Sequence, residues 1–136
     1  MNVNKSNFEN LLVWQKALQL STKIILIAKN FSPSDEYSIG TQIKRSAISV
    51  ASNIAEGSER SSKKEFAYFL SIASGSLAEL KTQIYIMVNI NLITTAHGED
   101  LLKDVTEIQK MLNGLKKSVS EKLKAKPTVY HLQSTN

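Results

Sequence analysis

Glu56 and Glu59 stand three residues apart, a spacing that lets two carboxylates share general acid and general base work on one helical face. Nothing in the chain joins them. Of the two histidines, His97 falls in an expected turn and His131 in a polar closing stretch, so both read as solvated. Cysteine is absent, which removes thiolate nucleophiles, disulfides and thiolate metal ligands together. The Glu-x-x-His pairs of di-iron bundles, a glycine-rich phosphate loop and a nucleophile elbow are missing as well. The pair therefore reads as a solvated helix end. A non-enzymatic protein is expected, with no catalytic residue, metal site or cofactor.

The remaining chemistry is charge. The net charge of +5 suggests an anionic partner, but its distribution matters more than its sum. Residues 1–108 hold eleven Lys and Arg against eleven Asp and Glu, whereas residues 109–136 hold six Lys against one Glu. One account is electrostatic complement to a closing helix, with Glu99, Asp100 and Asp104 at its positive end and Lys116, Lys117, Lys122 and Lys124 at its negative end. The other is a nucleic-acid face. Its candidates are Lys110, Lys116, Lys117, Lys122 and Lys124, with Lys44, Arg45, Arg60, Lys63 and Lys64 as a second group.

These residues must be positioned by helices. Val13, Ala17, Leu20, Ile24, Ile27 and Phe31 recur at steps of four and three, the stripe of one amphipathic helix. Trp14, Leu18 and Ile25 widen that stripe beyond what bundle neighbours require, so they are expected to take part in self-association. Ser32, Pro33 and Asp35 open a second helix, whose line is Ile39, Ile43, Ala47, Val50 and Ile54, with Gly57 as a cap or bend. Ser62 and Glu65 form a capping box before Phe66, Leu70, Ala73, Leu77, Leu80, Ile84 and Met87. From Ser62 to Asn91 that helix would be ~45 Å long. Gly75 lies within it at a cost of about 1 kcal/mol, which predicts a close-packed neighbour. Thr94, Thr95 and Gly98 mark a turn before Leu101, Val105, Ile108, Leu112, Leu115 and Val119.

The expected fold is all-α, an antiparallel up-down four-helix bundle over residues 1–126, followed by a flexible tail over 127–136. The start MNVNKSNFEN has no apolar leader core, and the longest strictly apolar run, Ile24 to Ala28, is far short of the roughly 20 residues that cross a bilayer. A soluble cytoplasmic protein without a membrane partner is expected.

One stretch departs from ordinary amphipathic composition. From Thr41 to Gly57 the positions 46, 47, 49, 51, 52, 55 and 57 are all Ser, Ala or Gly. Ala47, Ala51 and Ala55 at steps of four predict a tight helix crossing. Asn53, Glu56 and Arg60 can share one face, and the reading taken is an inter-helix hydrogen-bond network rather than a recognition triad.

The blocks Leu12-Val13-Trp14-Gln15-Lys16-Ala17, Gln42-Ile43-Lys44-Arg45-Ser46-Ala47, Ser49-Val50, Asn53-Ile54-Ala55-Glu56-Gly57, Lys63-Lys64-Glu65-Phe66 and Gly75-Ser76-Leu77-Ala78-Glu79-Leu80 resemble the signature of the four-helix bundle protein family, also called the 23S rRNA intervening-sequence protein family. The resemblance spans about residues 10–123. It implies a left-handed up-down bundle assembled as a homopentamer, encoded by some members inside inserts of the ribosomal RNA gene. The accessory variability determinant proteins of diversity-generating retroelements, which bind a reverse transcriptase and nucleic acid, are a similar branch. The family offers no catalytic residue to carry over. Ala51 departs from its pattern, which usually has Pro there; Ala restores a backbone donor and implies a straighter helix.

Two functions follow. In the first the protein is an RNA-associated oligomer, five copies of which would present about +25 of charge. In the second it is a scaffold that presents its surface to a protein partner without touching nucleic acid. Aromatic residues, at 7%, form no interleaved platform with basic ones along the sequence, which weighs against sequence-specific reading of a single strand.

Overall fold

The structure is a computed structural model whose described residues are 8–134, with side chains described over 8–123. Four long helices carry the fold: α1 (Leu12–Ala28), α2 (Thr41–Ser58), α3 (Lys63–Asn89) and α4 (Thr95–Ser134). Each packs against the next, α4 also packs against α1, and α2 with α3 form the most extensive pairing. No strand occurs among the described residues, and the molecule is a helical bundle. Lys124, the expected domain end at 126 and the expected tail over 127–136 lie outside the residues whose side chains are described. No helix among the described residues is long and apolar enough to cross a membrane.

The apolar stripes meet in one core. Val13, Ala17, Leu20 and Ile24 of α1 face Ile43, Ala47, Val50 and Ile54 of α2, and all are buried. Leu70, Ala73, Leu77, Leu80, Ile84 and Met87 of α3, with Leu101, Val105, Ile108, Leu112 and Val119 of α4, complete it. Burial of this kind contributes roughly 1.5–3 kcal/mol per large side chain, before the entropy of ordering the chain is subtracted.

Helix ends follow the capping residues. The Ser32 hydroxyl accepts a hydrogen bond from the Asp35 amide at 3.2 Å, and Ser62 does the same for Glu65 at 3.1 Å. After the short turn Pro33–Asp35 the backbone widens into a π-type segment, Glu36–Gly40, before α2 begins. Periodicity alone did not indicate this extra width. α3 ends at Asn89, and Asn91, with a φ of 59°, is the left-handed residue of the Schellman turn that follows. There the Leu92 amide donates to the Met87 carbonyl at 2.9 Å and the Asn91 amide to that of Val88 at 3.0 Å. Thr94 then caps α4 through the His97 amide, so Thr94 is the turn signal that holds. Gly98 belongs to the helix instead: it is buried, and a Cβ there would run into Val88.

Two other glycines differ from expectation. Gly57 neither caps nor bends α2, which continues to Ser58; it is buried where a Cβ would stand 2.7 Å from Phe69 Cβ and 3.1 Å from Phe66 Cδ1. Gly75 has no close neighbour among the described residues: it is exposed, with open space at the Cβ position. Gly75→Ala is therefore expected to stabilise the protein by about 0.5–1 kcal/mol through helix propensity. Urea denaturation checks this: a lower midpoint for the alanine variant would mean that something packs on Gly75 in solution.

Candidate nucleic-acid interface

The small residues of α2 serve two interfaces at once. On the α1 side, the buried Ser21 hydroxyl approaches the carbonyl oxygens of Ala17 and Ala47, each at 2.8 Å, a reach across helices that needs close backbones. Ala51, 8% exposed, lies one turn beyond Ala47 on that side. Towards α3, Ser49 and Ser76 share a hydrogen bond of 2.8 Å, Ser46 donates to Glu79 at 3.5 Å, and Gly57 admits the Phe66 and Phe69 side chains. Asn53 donates to Ser49 within its own helix, at 2.8 Å to the carbonyl and 3.0 Å to the hydroxyl.

The expected Asn53, Glu56 and Arg60 network is thus corrected. Ser49 and Ser76 make the inter-helix bond, while Glu56 and Arg60 pair with each other on the surface at 2.6 Å. Arg60 also lies over the Phe69 ring, 4.9 Å from its centroid. The hydroxyls were legible only as small residues, since which serine faces which depends on the register of two helices.

Of the residues expected to widen the apolar face of α1, Trp14 is half-buried and packs edge-on against Phe8 at 5.1 Å. The turn Phe8–Asn10 therefore supplies part of its cover from within the chain. Ile25 is also half-buried. Leu18 of α1 remains 46% exposed, and Ile48 of α2 is 47% exposed.

The cations divide by partner. Lys16 pairs with Glu107 at 3.5 Å, and Lys23 of α1 is held between Asp100 and Asp104 of α4, the latter at 3.0 Å. Asp100 is held below its ordinary pKa mainly by the hydrogen bond from Lys23, and the Lys23 ammonium is raised by its bonds to Asp100 and Asp104. Both shifts favour the bridged state. The Asp100 share is present above its unfolded pKa and lost as pH falls through the depressed one; the Lys23 share is present below its unfolded pKa and lost as pH rises through the raised one. These groups are largely solvated, so the bridges fix register more than they add stability.

Lys44 pairs with Glu36 at 3.5 Å and is half-buried, while Arg45 is exposed beside Ile48. Lys63, Lys64, Lys110, Lys117 and Lys122 are exposed, Lys116 is half-buried, and none of these six forms an ion pair among the described residues. Because α4 runs on past Leu123, Lys116 and Lys117 are not in its last turn, and complement to the helix dipole does not account for them. Among the described residues no group of three acidic or histidine side chains could hold a metal ion.

The family model for the 23S rRNA-intervening sequence protein matches residues 9–114. Among solved structures, the chain is similar to a protein of unknown function from the S23 ribosomal protein family of Bacteroides thetaiotaomicron VPI-5482, with 27% identity and a TM-score of 0.74. That likeness covers 78% of this chain and 96% of the other. No curated protein matches.

Proposed function

Because the chain belongs to the 23S rRNA-intervening sequence protein family, we propose that it is a non-enzymatic, oligomeric bundle protein that associates with RNA through its unpaired lysines. The observation that carries this reading is the sorting of charge along α4. Its early acids Asp100, Asp104 and Glu107 pair with Lys16 and Lys23, while Lys110, Lys116, Lys117 and Lys122 further along form no ion pair among the described residues. Phosphates are the natural counter-charge for such a surface, and contacts of this kind position a nucleic acid without reading its bases.

The bundle is taken as antiparallel, up-down and left-handed. Support comes from pairings that fall as the chain rises: Lys16 with Glu107 and Lys23 with Asp100, then Ser46 with Glu79 and Ser49 with Ser76. In that arrangement the α2–α3 turn, with Arg60, Lys63 and Lys64, lies at the same end as the lysines of α4. Self-association, as a homopentamer, is supported by the exposed apolar side chains of Leu18 on α1 and Ile48 on α2. The same exposed side chains favour the second reading, a scaffold for a protein partner. A cytoplasmic location is part of the proposal.

Titrating a labelled single-stranded RNA into the protein over a range of salt tests the first reading. The logarithm of affinity is expected to fall linearly with the logarithm of salt, by about 0.7 per phosphate neutralised. Absence of salt-dependent binding at low salt would leave the scaffold in its place. Light scattering on the same samples reads the subunit number, and a monomer at every concentration would remove the oligomer.

A further inference from the structure

α3 and α4 enclose a groove of about 330 Å³ whose lining includes Ser74, Lys81, Thr82, Gln109 and Asn113 above a floor of Leu77 and Val105. No carboxylate lines it. The groove on the opposite flank of α4, about 260 Å³, is lined by Lys16, Lys23, Asp104 and Glu107, so its charges cancel within the protein. α4 thus separates a neutralised seam from a cationic one.

Resting on the RNA-associated reading above, we propose that the α3–α4 groove is the track for the phosphodiester backbone of a single RNA strand. Lys81 is half-buried and forms no ion pair among the described residues, so its ammonium has no internal counter-charge. Gln109 and Asn113 sit one turn apart on α4 and supply amide donors and acceptors suited to phosphate and ribose oxygens. The Ser74 hydroxyl differs from its neighbours. Thr82 and Thr106 donate back to their own helices, to Ala78 and Leu102 at 2.9 Å, whereas Ser74 Oγ has no partner among the described residues.

The track extends at both ends. Lys116 lies one turn beyond Asn113 on α4, and Tyr85, 51% exposed, lies one turn beyond Lys81 on α3. A cation beside an exposed ring is the pairing that holds backbone and base of one unpaired nucleotide together. A crevice between two packed helices admits one strand, whereas duplex RNA is gripped by shape across its wide minor groove. The neutral polar lining predicts weak sequence preference.

The test uses the full chain and a labelled unpaired RNA of about 20 nucleotides, with Lys81→Gln and Tyr85→Ala against Lys103→Gln. Lys103 is exposed on α4 and does not line the groove, and its loss changes net charge equally. Lys81→Gln is expected to lower the salt slope by about 0.7, and Tyr85→Ala to weaken binding about fivefold or more. Lys103→Gln should cost less than about twofold, and Lys81→Arg should restore the slope lost in Lys81→Gln, which separates charge from folding. Equal losses for Lys81→Gln and Lys103→Gln would overturn the groove while leaving RNA association intact. If the unmodified protein binds no RNA at low salt, the broader reading fails with it.

Discussion

Replacing Gly57 by alanine is expected to destabilise the protein by about 1–3 kcal/mol, although the same change at an open helical site stabilises by roughly 1 kcal/mol. The sign is decided by what the added methyl meets. At Gly57 it would stand 2.7 Å from Phe69 Cβ and 3.3 Å from the Phe66 carbonyl oxygen, atoms fixed close to the α3 backbone. No side-chain rotation relieves such a contact, so α2 and α3 must part. Parting them strains the Ser49 to Ser76 hydrogen bond nearby and loosens the most extensive helix pairing of the bundle. Urea midpoints measured beside Gly75→Ala give the comparison: one chemical change, two helical positions, opposite expected signs. A Gly57→Ala variant at least as stable as the parent would mean that α2 does not approach α3 as closely as described.

How much of this was legible in the sequence depends on the kind of property involved. Burial follows from a residue's own type and its place in a helical period. Leu70, Ala73, Leu77, Leu80, Ile84 and Met87 could therefore be assigned to a core from spacing alone, and all six are buried. Caps at Ser32 and Ser62 were legible for the same reason, since donor and acceptor lie three residues apart. Pair properties were not. Gly57 and Gly75 look alike in sequence, and only the arrival of Phe69 beside one of them gives the two different roles. Likewise Lys23 and Asp100 are distant in the chain, so no local pattern reveals that α4 spends its early acids on α1.

The stretch from Thr41 to Gly57 unites these observations. Its small residues let one thin helix carry two close interfaces, with Ser21 and Ala47 on one side and Ser49, Ser76 and Phe69 on the other. Ala51 fits this account, buried within a helix that runs unbroken from Thr41 to Ser58. The candidate interface is harder to read because lysines are common on every surface. What distinguishes one lysine from another is the absence of a carboxylate nearby, again a property of pairs. Lys116, Lys117 and Lys122 also lie beyond the span matched by the family model, so family membership does not speak for them.

A variant carrying Lys63→Gln, Lys64→Gln, Lys117→Gln and Lys122→Gln is expected to lose most RNA affinity while keeping its melting temperature. Stability should hold because all four side chains are exposed and none forms an ion pair among the described residues. Exposed substitutions of this sort usually change stability by less than about 0.5 kcal/mol each. Binding should respond far more strongly. A single-strand contact with a slope of about 0.7 is worth about 0.9 of a decade between ~1 M and ~0.05 M salt, so four lost contacts remove up to about three and a half orders of magnitude at the lower salt. Little difference should remain near ~1 M, where counterion release contributes least. Anisotropy titrations at several salt concentrations measure both quantities, and light scattering on the variant checks that assembly is unchanged. Affinity lost equally at every salt concentration would point to altered assembly or fold. An unchanged slope would move RNA contact away from these four lysines, towards Lys81 in the α3–α4 groove or Lys44 and Arg45 on α2.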